Sequence, residues 1–87
     1  MMKEVAIEFL GTMFFLYVVV ATGSPLAIGA ALALSLYIGG SGSNFNPAAT
    51  LMLVLSGKQS MKMVAPYLIA QFAAAIAVAC LWKRITK

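Results

Sequence analysis

Apolar positions along this chain come in long blocks, not in the alternation of a half-buried strand or the one-sided stripe of a soluble amphipathic helix. From Val5 to about Ala21 nearly every residue is apolar, and a helix rising roughly 1.5 Å per residue over that stretch just crosses a hydrocarbon core of roughly 30 Å. A second block opens at Thr22-Gly23-Ser24-Pro25 and runs to about Ile38. Ser24 can cap a helix there, and Pro25 suits its first turn, where the missing N–H would have had no partner anyway. A third block runs from Met63 to Trp82, with Lys83 and Arg84 just beyond, and Trp82 is placed as an interfacial anchor. The pattern predicts membrane spans over about residues 5–21, 25–38 and 63–82. The first block, with small residues at Ala21-Thr22-Gly23, also meets the outline of a signal peptide. Glu8 inside the apolar stretch favours a span.

Residues 39–56 break the pattern. Gly39-Gly40-Ser41-Gly42-Ser43-Asn44 cannot hold a regular helix. The apolar run that follows, Pro47 to Leu55, is about half a span and stops at Gly57-Lys58-Gln59-Ser60. A surface helix would carry cations on one face, whereas this one is apolar nearly all round. It is predicted to dip into the membrane and return.

Composition agrees: 63% hydrophobic and 9% charged residues lie far from the globular norm, and the lipid bilayer is the expected solvent. The net charge of +4 is divided among Lys3, Lys58, Lys62 and the Lys83-Arg84-Lys87 tail. That division forms no basic stripe and gives no reason to expect nucleic acid. Cys80 is the single cysteine and there is no histidine, so one chain builds neither a disulfide framework nor a zinc site; a packing role is expected for Cys80. No nucleophile, general-base pair, metal cluster or phosphate loop is present. An enzyme is not expected, nor a cofactor or a metal.

Irregular backbone survives at membrane depth only where protein buries it or a watery cavity meets it. The strand leading to Asn46 is therefore expected to face something polar, with the carbonyls of Gly42, Ser43, Asn44 and Phe45 forming a ladder of acceptors for a hydrogen-bonding solute. Asn46 is placed to cap the half-helix and Pro47 to take its first position, holding the positive end of the helix dipole near mid-bilayer. The Asn46 amide can then donate to a passing molecule.

At this point the sequence resembles the aquaporin (major intrinsic protein) family. Glu8-Phe9-Leu10-Gly11-Thr12 looks like the family's opening motif, Ser41 to Leu51 with Asn46-Pro47-Ala48 looks like its first Asn-Pro-Ala loop, and Tyr67-Leu68-Ile69-Ala70-Gln71 looks like its third helix. The resemblance implies an all-α membrane protein with three transmembrane helices and one re-entrant half-helix, one half of an aquaporin-like inverted repeat. It implies that Glu8 accepts hydrogen bonds from the loop backbone and that Gln71 supports the loop from the third helix. Snorkelling of Glu8 and a helix-helix contact of Gln71 are the plainer alternatives. It further implies a pore narrowing at Ile28, Leu34, Ser43 and Ala49, with Ala49 where relatives carry Arg. The small residues Gly29 and Ala33, and Ala70, Ala74 and Ala77, are spaced for close helix approach.

A half-helix of about ten residues covers roughly 15 Å, half the hydrocarbon, and three spans do not enclose a channel. A second copy inserted upside down would complete the wall, and the divided cations leave little positive-inside bias against it. Pairing with a different half-subunit and a higher oligomer stay open. The expected function is passive passage of water or a small neutral solute. Two rivals remain: a small dual-topology proton-coupled exporter, which requires four full spans, and a structural or remnant membrane protein without transport.

Overall fold

The computed structural model describes residues 1–87 as an all-helical chain. Its elements are α1 (Met2–Thr22), α2 (Pro25–Gly39), the short α3 (Pro47–Leu55) and α4 (Val64–Ile85), with a single 3₁₀ turn at Met61–Met63 leading into α4. Local chemistry sets the boundaries. Ser24 accepts a hydrogen bond from the Ala27 N–H with Pro25 following it, and Asn46 does the same for α3 with Pro47 following. Pro66 falls in the first turn of α4, where a missing N–H breaks no helical bond.

α1 and α4 pack side by side and run in the same direction. Glu8 meets Gln71 just before the midpoints of the two helices, and the Tyr17 and Trp82 rings meet edge to face, centroids 6.1 Å apart, nearer their C-terminal ends. α2 returns along α1, and α3 lies against α4. The long axis measures 42 Å, close to the roughly 40–45 Å of a bilayer with its headgroups.

The helices fall close to the three expected stretches, and they differ in length. α1 and the helix through Met61–Ile85 are long and apolar enough to cross, but α2 has 15 residues, about 22 Å of helix. It is shorter because Gly39 and Gly40 end it where the chain turns inward, so part of that crossing is left to irregular backbone.

Partition of side chains is inverted relative to a protein in water. Of 87 residues only 13 are buried, and six of those are polar or charged: Glu8, Thr12, Ser35, Asn44, Thr50 and Gln71. Large apolar side chains such as Leu26, Tyr37, Ile38, Leu55, Ile69 and Ile76 point outward. Hydrocarbon gives them nothing to escape from, and the interior shelters the groups that hydrocarbon would not satisfy beside small and aromatic packing residues. Ala70 and Ala74 are buried between helices. Gly29 and Ala33 are exposed, with open space beside Gly29, so they make no close approach within the chain. Cys80 is also exposed and fills no internal gap.

Candidate functional site

The loop from Gly40 to Asn46 enters the bundle between α1 and α4 and is held by one carboxyl group. Glu8, fully buried, accepts from the backbone N–H of Asn44 through Oε2 and of Phe45 through Oε1, each at 2.8 Å. A third donor, Gln71 Nε2, reaches Oε1 at 2.8 Å. The loop needs such an acceptor because its N–H groups have no helix or sheet to pair with.

Around Glu8 the remaining polar side chains close on one another. Gln71 Nε2 also donates to Thr50 Oγ1 at 2.9 Å, and Asn44 Nδ2 donates to the same oxygen at 2.9 Å. The Thr50 hydroxyl in turn donates to the Asn46 carbonyl at 3.1 Å, so its single donor and both acceptor positions are used. Asn44 Nδ2 reaches Gln59 Oε1 at 2.8 Å. Gln59 Nε2 and the Tyr67 hydroxyl both donate to the Gly42 carbonyl, at 3.0 and 2.9 Å. The network thus ties α1, the loop, α3, the α3–α4 connection and α4 into one unit.

Phe45 pivots the loop. It is the single non-glycine residue at positive φ, 60°, a conformation costing about 1–3 kcal/mol that surrounding structure must impose. Its N–H is fixed by Glu8 and its ring is buried against two glycines. A Cβ on Gly11 of α1 would run into that ring, and one on Gly39 of α2 would come within 2.9 Å of Phe45 Cζ and 2.8 Å of Ser43 Oγ.

Asn46 lies just beyond this pivot and is exposed. Its Oδ1 accepts from the N–H groups of Ala48 (2.7 Å) and Ala49 (3.3 Å), which forces Nδ2 to point away from the helix and leaves that donor free. Asn46 and Pro47 border a cavity of about 220 Å³ shared with Thr12 and Leu16 of α1 and Gln71 and Ala75 of α4. Those residues stand halfway along the two long helices, so the N-terminus of α3 does too. Ala48 is exposed and Pro47 and Ala49 half-buried.

The four carbonyls of the expected acceptor ladder, at Gly42, Ser43, Asn44 and Phe45, differ in their partners. The Gly42 carbonyl has both lone pairs engaged by Gln59 and Tyr67, whereas no donor in the chain reaches the carbonyls of Ser43, Asn44 and Phe45. The four positions expected at a narrowing do not converge within one chain. Ile28 lies in the first turn of α2, Leu34 farther along it, Ser43 in the loop that follows and Ala49 in the first turn of α3. Ser43 Oγ is turned back onto the Gly40 carbonyl at 2.7 Å. Sequence reasoning missed Asn44, Thr50, Gln59 and Tyr67 as parts of the support. The i, i+4 pairs Asn46/Thr50 and Tyr67/Gln71 were the available signal, each putting two polar groups on one face of an apolar helix.

Comparison with known proteins gives a consistent result. The sequence model of the family described as Major intrinsic protein matches residues 20–87. Aquaporin Z of Rhodopseudomonas palustris is 44% identical over 61 residues, covering 68% of this chain and 25% of that protein. The chain therefore spans about a quarter of the length of the curated relative it matches. No solved structure matches.

Removing the acceptor should release the loop. Glu8→Ala orphans three buried donors at about 1–3 kcal/mol each, and Glu8→Gln sets an amide N–H₂ against at least one of them. In either variant the Asn44 and Phe45 amides should lose hydrogen-exchange protection relative to the middle of α1. Unchanged protection at both amides in Glu8→Gln would show that the carboxyl group does not hold the loop.

Proposed function

Because the chain belongs to the major intrinsic protein family, whose members are membrane channels and not enzymes, we propose that it forms a passive channel for water or small neutral solutes, two antiparallel copies bringing two Asn46-Pro47-Ala48 turns together at mid-membrane. The observation that carries this reading is the position of α3. Its capped N-terminus stands halfway along α1 and α4, and its nine residues cover about 14 Å, leaving the other half of a crossing to be lined by something else. An inverted copy supplies an identical half about a two-fold axis in the membrane plane.

The charges suit dual insertion. Lys3, Lys58 and Lys62 fall at the end of the bundle where α1 and α4 begin, and Lys83, Arg84 and Lys87 at the end where they stop. Neither end dominates. In the pair, the free Asn46 Nδ2 and the carbonyls of Ser43, Asn44 and Phe45 offer a solute successive donors and acceptors. Inversion also brings the two ends of α2 level, so that Ile28 of one copy meets Leu34, Ser43 and Ala49 of the other at each narrowing. The exporter alternative asks Glu8 to exchange protons with a solute, yet its two oxygens are occupied by three donors that belong to the loop and to Gln71.

Two measurements test the reading. A cysteine-free protein with a labelling site after Lys87 should react with membrane-impermeant reagent from both faces of the membrane; labelling from one face only, with transport intact, rules out the antiparallel pair. At the narrowing, Ala49→Arg adds a fixed positive charge and bulk to each mouth, beside helix N-termini that carry roughly half a positive charge each. In the same liposomes glycerol permeability should fall more than water permeability, and cation leak should fall. An unchanged glycerol-to-water ratio would remove Ala49 from the narrowest part of the path.

A further inference from the structure

The closed network around Glu8 leaves two loose ends, on residues that border the same space. Gln71 is 2% exposed and Thr12 3% exposed, yet Gln71 Oε1 and Thr12 Oγ1 have no hydrogen-bond partner. Both residues line the cavity of about 220 Å³ beside Asn46 and Pro47, whose other walls include Phe15, Leu16 and Phe72.

Gln71 is not free to turn away. Gln71 must present Nε2 to Glu8 Oε1 and Thr50 Oγ1; a flipped amide would set its oxygen against the carboxyl oxygen, so Oε1 is committed to the opposite side. Thr12 differs from the chain's other threonines. Thr22, Thr50 and Thr86 each donate to the carbonyl four residues back, at 2.8, 3.1 and 2.6 Å, the usual resting place of a helical threonine hydroxyl. Thr12 makes no such bond, and the residue borders the cavity.

An acceptor with no donor and a hydroxyl with no partner, both buried at the middle of an apolar bundle, each carry a penalty of about 1–3 kcal/mol unless something meets them. The species must donate to an amide oxygen, exchange a hydrogen bond with a hydroxyl and fit a corner whose remaining walls are apolar. We propose that this corner is a binding site for one resident water molecule that bridges Thr12 Oγ1 and Gln71 Oε1. A water takes about 30 Å³, so it fills the polar corner alone. It is held by side chains that the Glu8 network fixes, which makes it a part of the loop's support and not a molecule in transit. The inference follows from burial and hydrogen bonding and stands whether or not the protein conducts.

Isotope-labelled protein in lipid nanodiscs allows water–protein NOE measurement at this corner. The wild-type protein should show a long-lived water cross-peak to the Thr12 methyl and to the Gln71 side-chain amide. Thr12→Ser keeps the hydroxyl and should keep the cross-peak; Thr12→Val keeps the shape and should lose it, while the Asn44 and Phe45 amides stay protected. Absence of the cross-peak in the wild-type protein overturns the proposal, as does its survival in Thr12→Val. Cross-peaks from the Gln71 amide to protons of a second copy, in a sample mixed from differently labelled chains, would overturn it in favour of a partner side chain. Should Thr12→Val fail to fold, the wild-type and Thr12→Ser spectra decide alone.

Discussion

Hydrocarbon offers no hydrogen bonds, so every peptide group placed in it must find a partner within the protein or in trapped water. Helices meet that demand by themselves; the Gly40–Asn46 segment does not. The rest of the architecture is arranged around its needs. Glu8 supplies the acceptor for two consecutive loop N–H groups, and Tyr67 and Gln59 supply donors for the Gly42 carbonyl. A carboxyl group this deep would be expensive on a lipid-facing surface. Here its three donors turn it into the anchor on which the half-helix stands.

The same constraint explains which side chains are buried. With lipid as apolar as leucine, helix association gains little from sequestering apolar groups and more from close packing and internal hydrogen bonds. Ala70 and Ala74 let α4 approach its neighbours, and six polar residues occupy the interior they enclose. Rigidity follows from this arrangement. Thr50 is saturated, Gln71 is fixed in orientation, and Phe45 is locked at positive φ between two glycines, so Asn46 is presented at a defined depth with its donor free. A channel wall of the proposed kind depends on that presentation, because its polar groups must stay aligned while solute exchanges.

Much of the helical framework was legible in the sequence because its signals are local. Ser24-Pro25 and Asn46-Pro47 announce helix starts within two residues, and a carboxylate in an apolar run is conspicuous on its own. The support network was less legible because its members are far apart in the chain: Glu8 meets the loop across 36 and 37 residues and Gln71 across 63. Gln59 reads as part of a polar connector until the fold brings it under Gly42. Phe45 gives no hint of a left-handed conformation, since the cause lies in Glu8, Gly11 and Gly39 and not in the phenylalanine. The second span was read at 25–38, within a residue of α2, because Ser24-Pro25 and Gly39-Gly40 mark its two ends locally. Only the fold shows which acceptors meet donors of the chain itself, as the Gly42 carbonyl does.

Whether a loop fixed at mid-membrane presents Asn46 to a permeating solute is tested most directly by osmotic swelling of liposomes carrying the wild-type protein and Asn46→Leu. Loss of the cap costs about 1 kcal/mol, too little to prevent assembly. Wild-type vesicles should swell faster than empty ones, and Asn46→Leu vesicles with equal incorporated protein should fall back toward the empty rate. Equal swelling by the two proteins, or no gain over empty vesicles by the wild-type protein, would contradict the account.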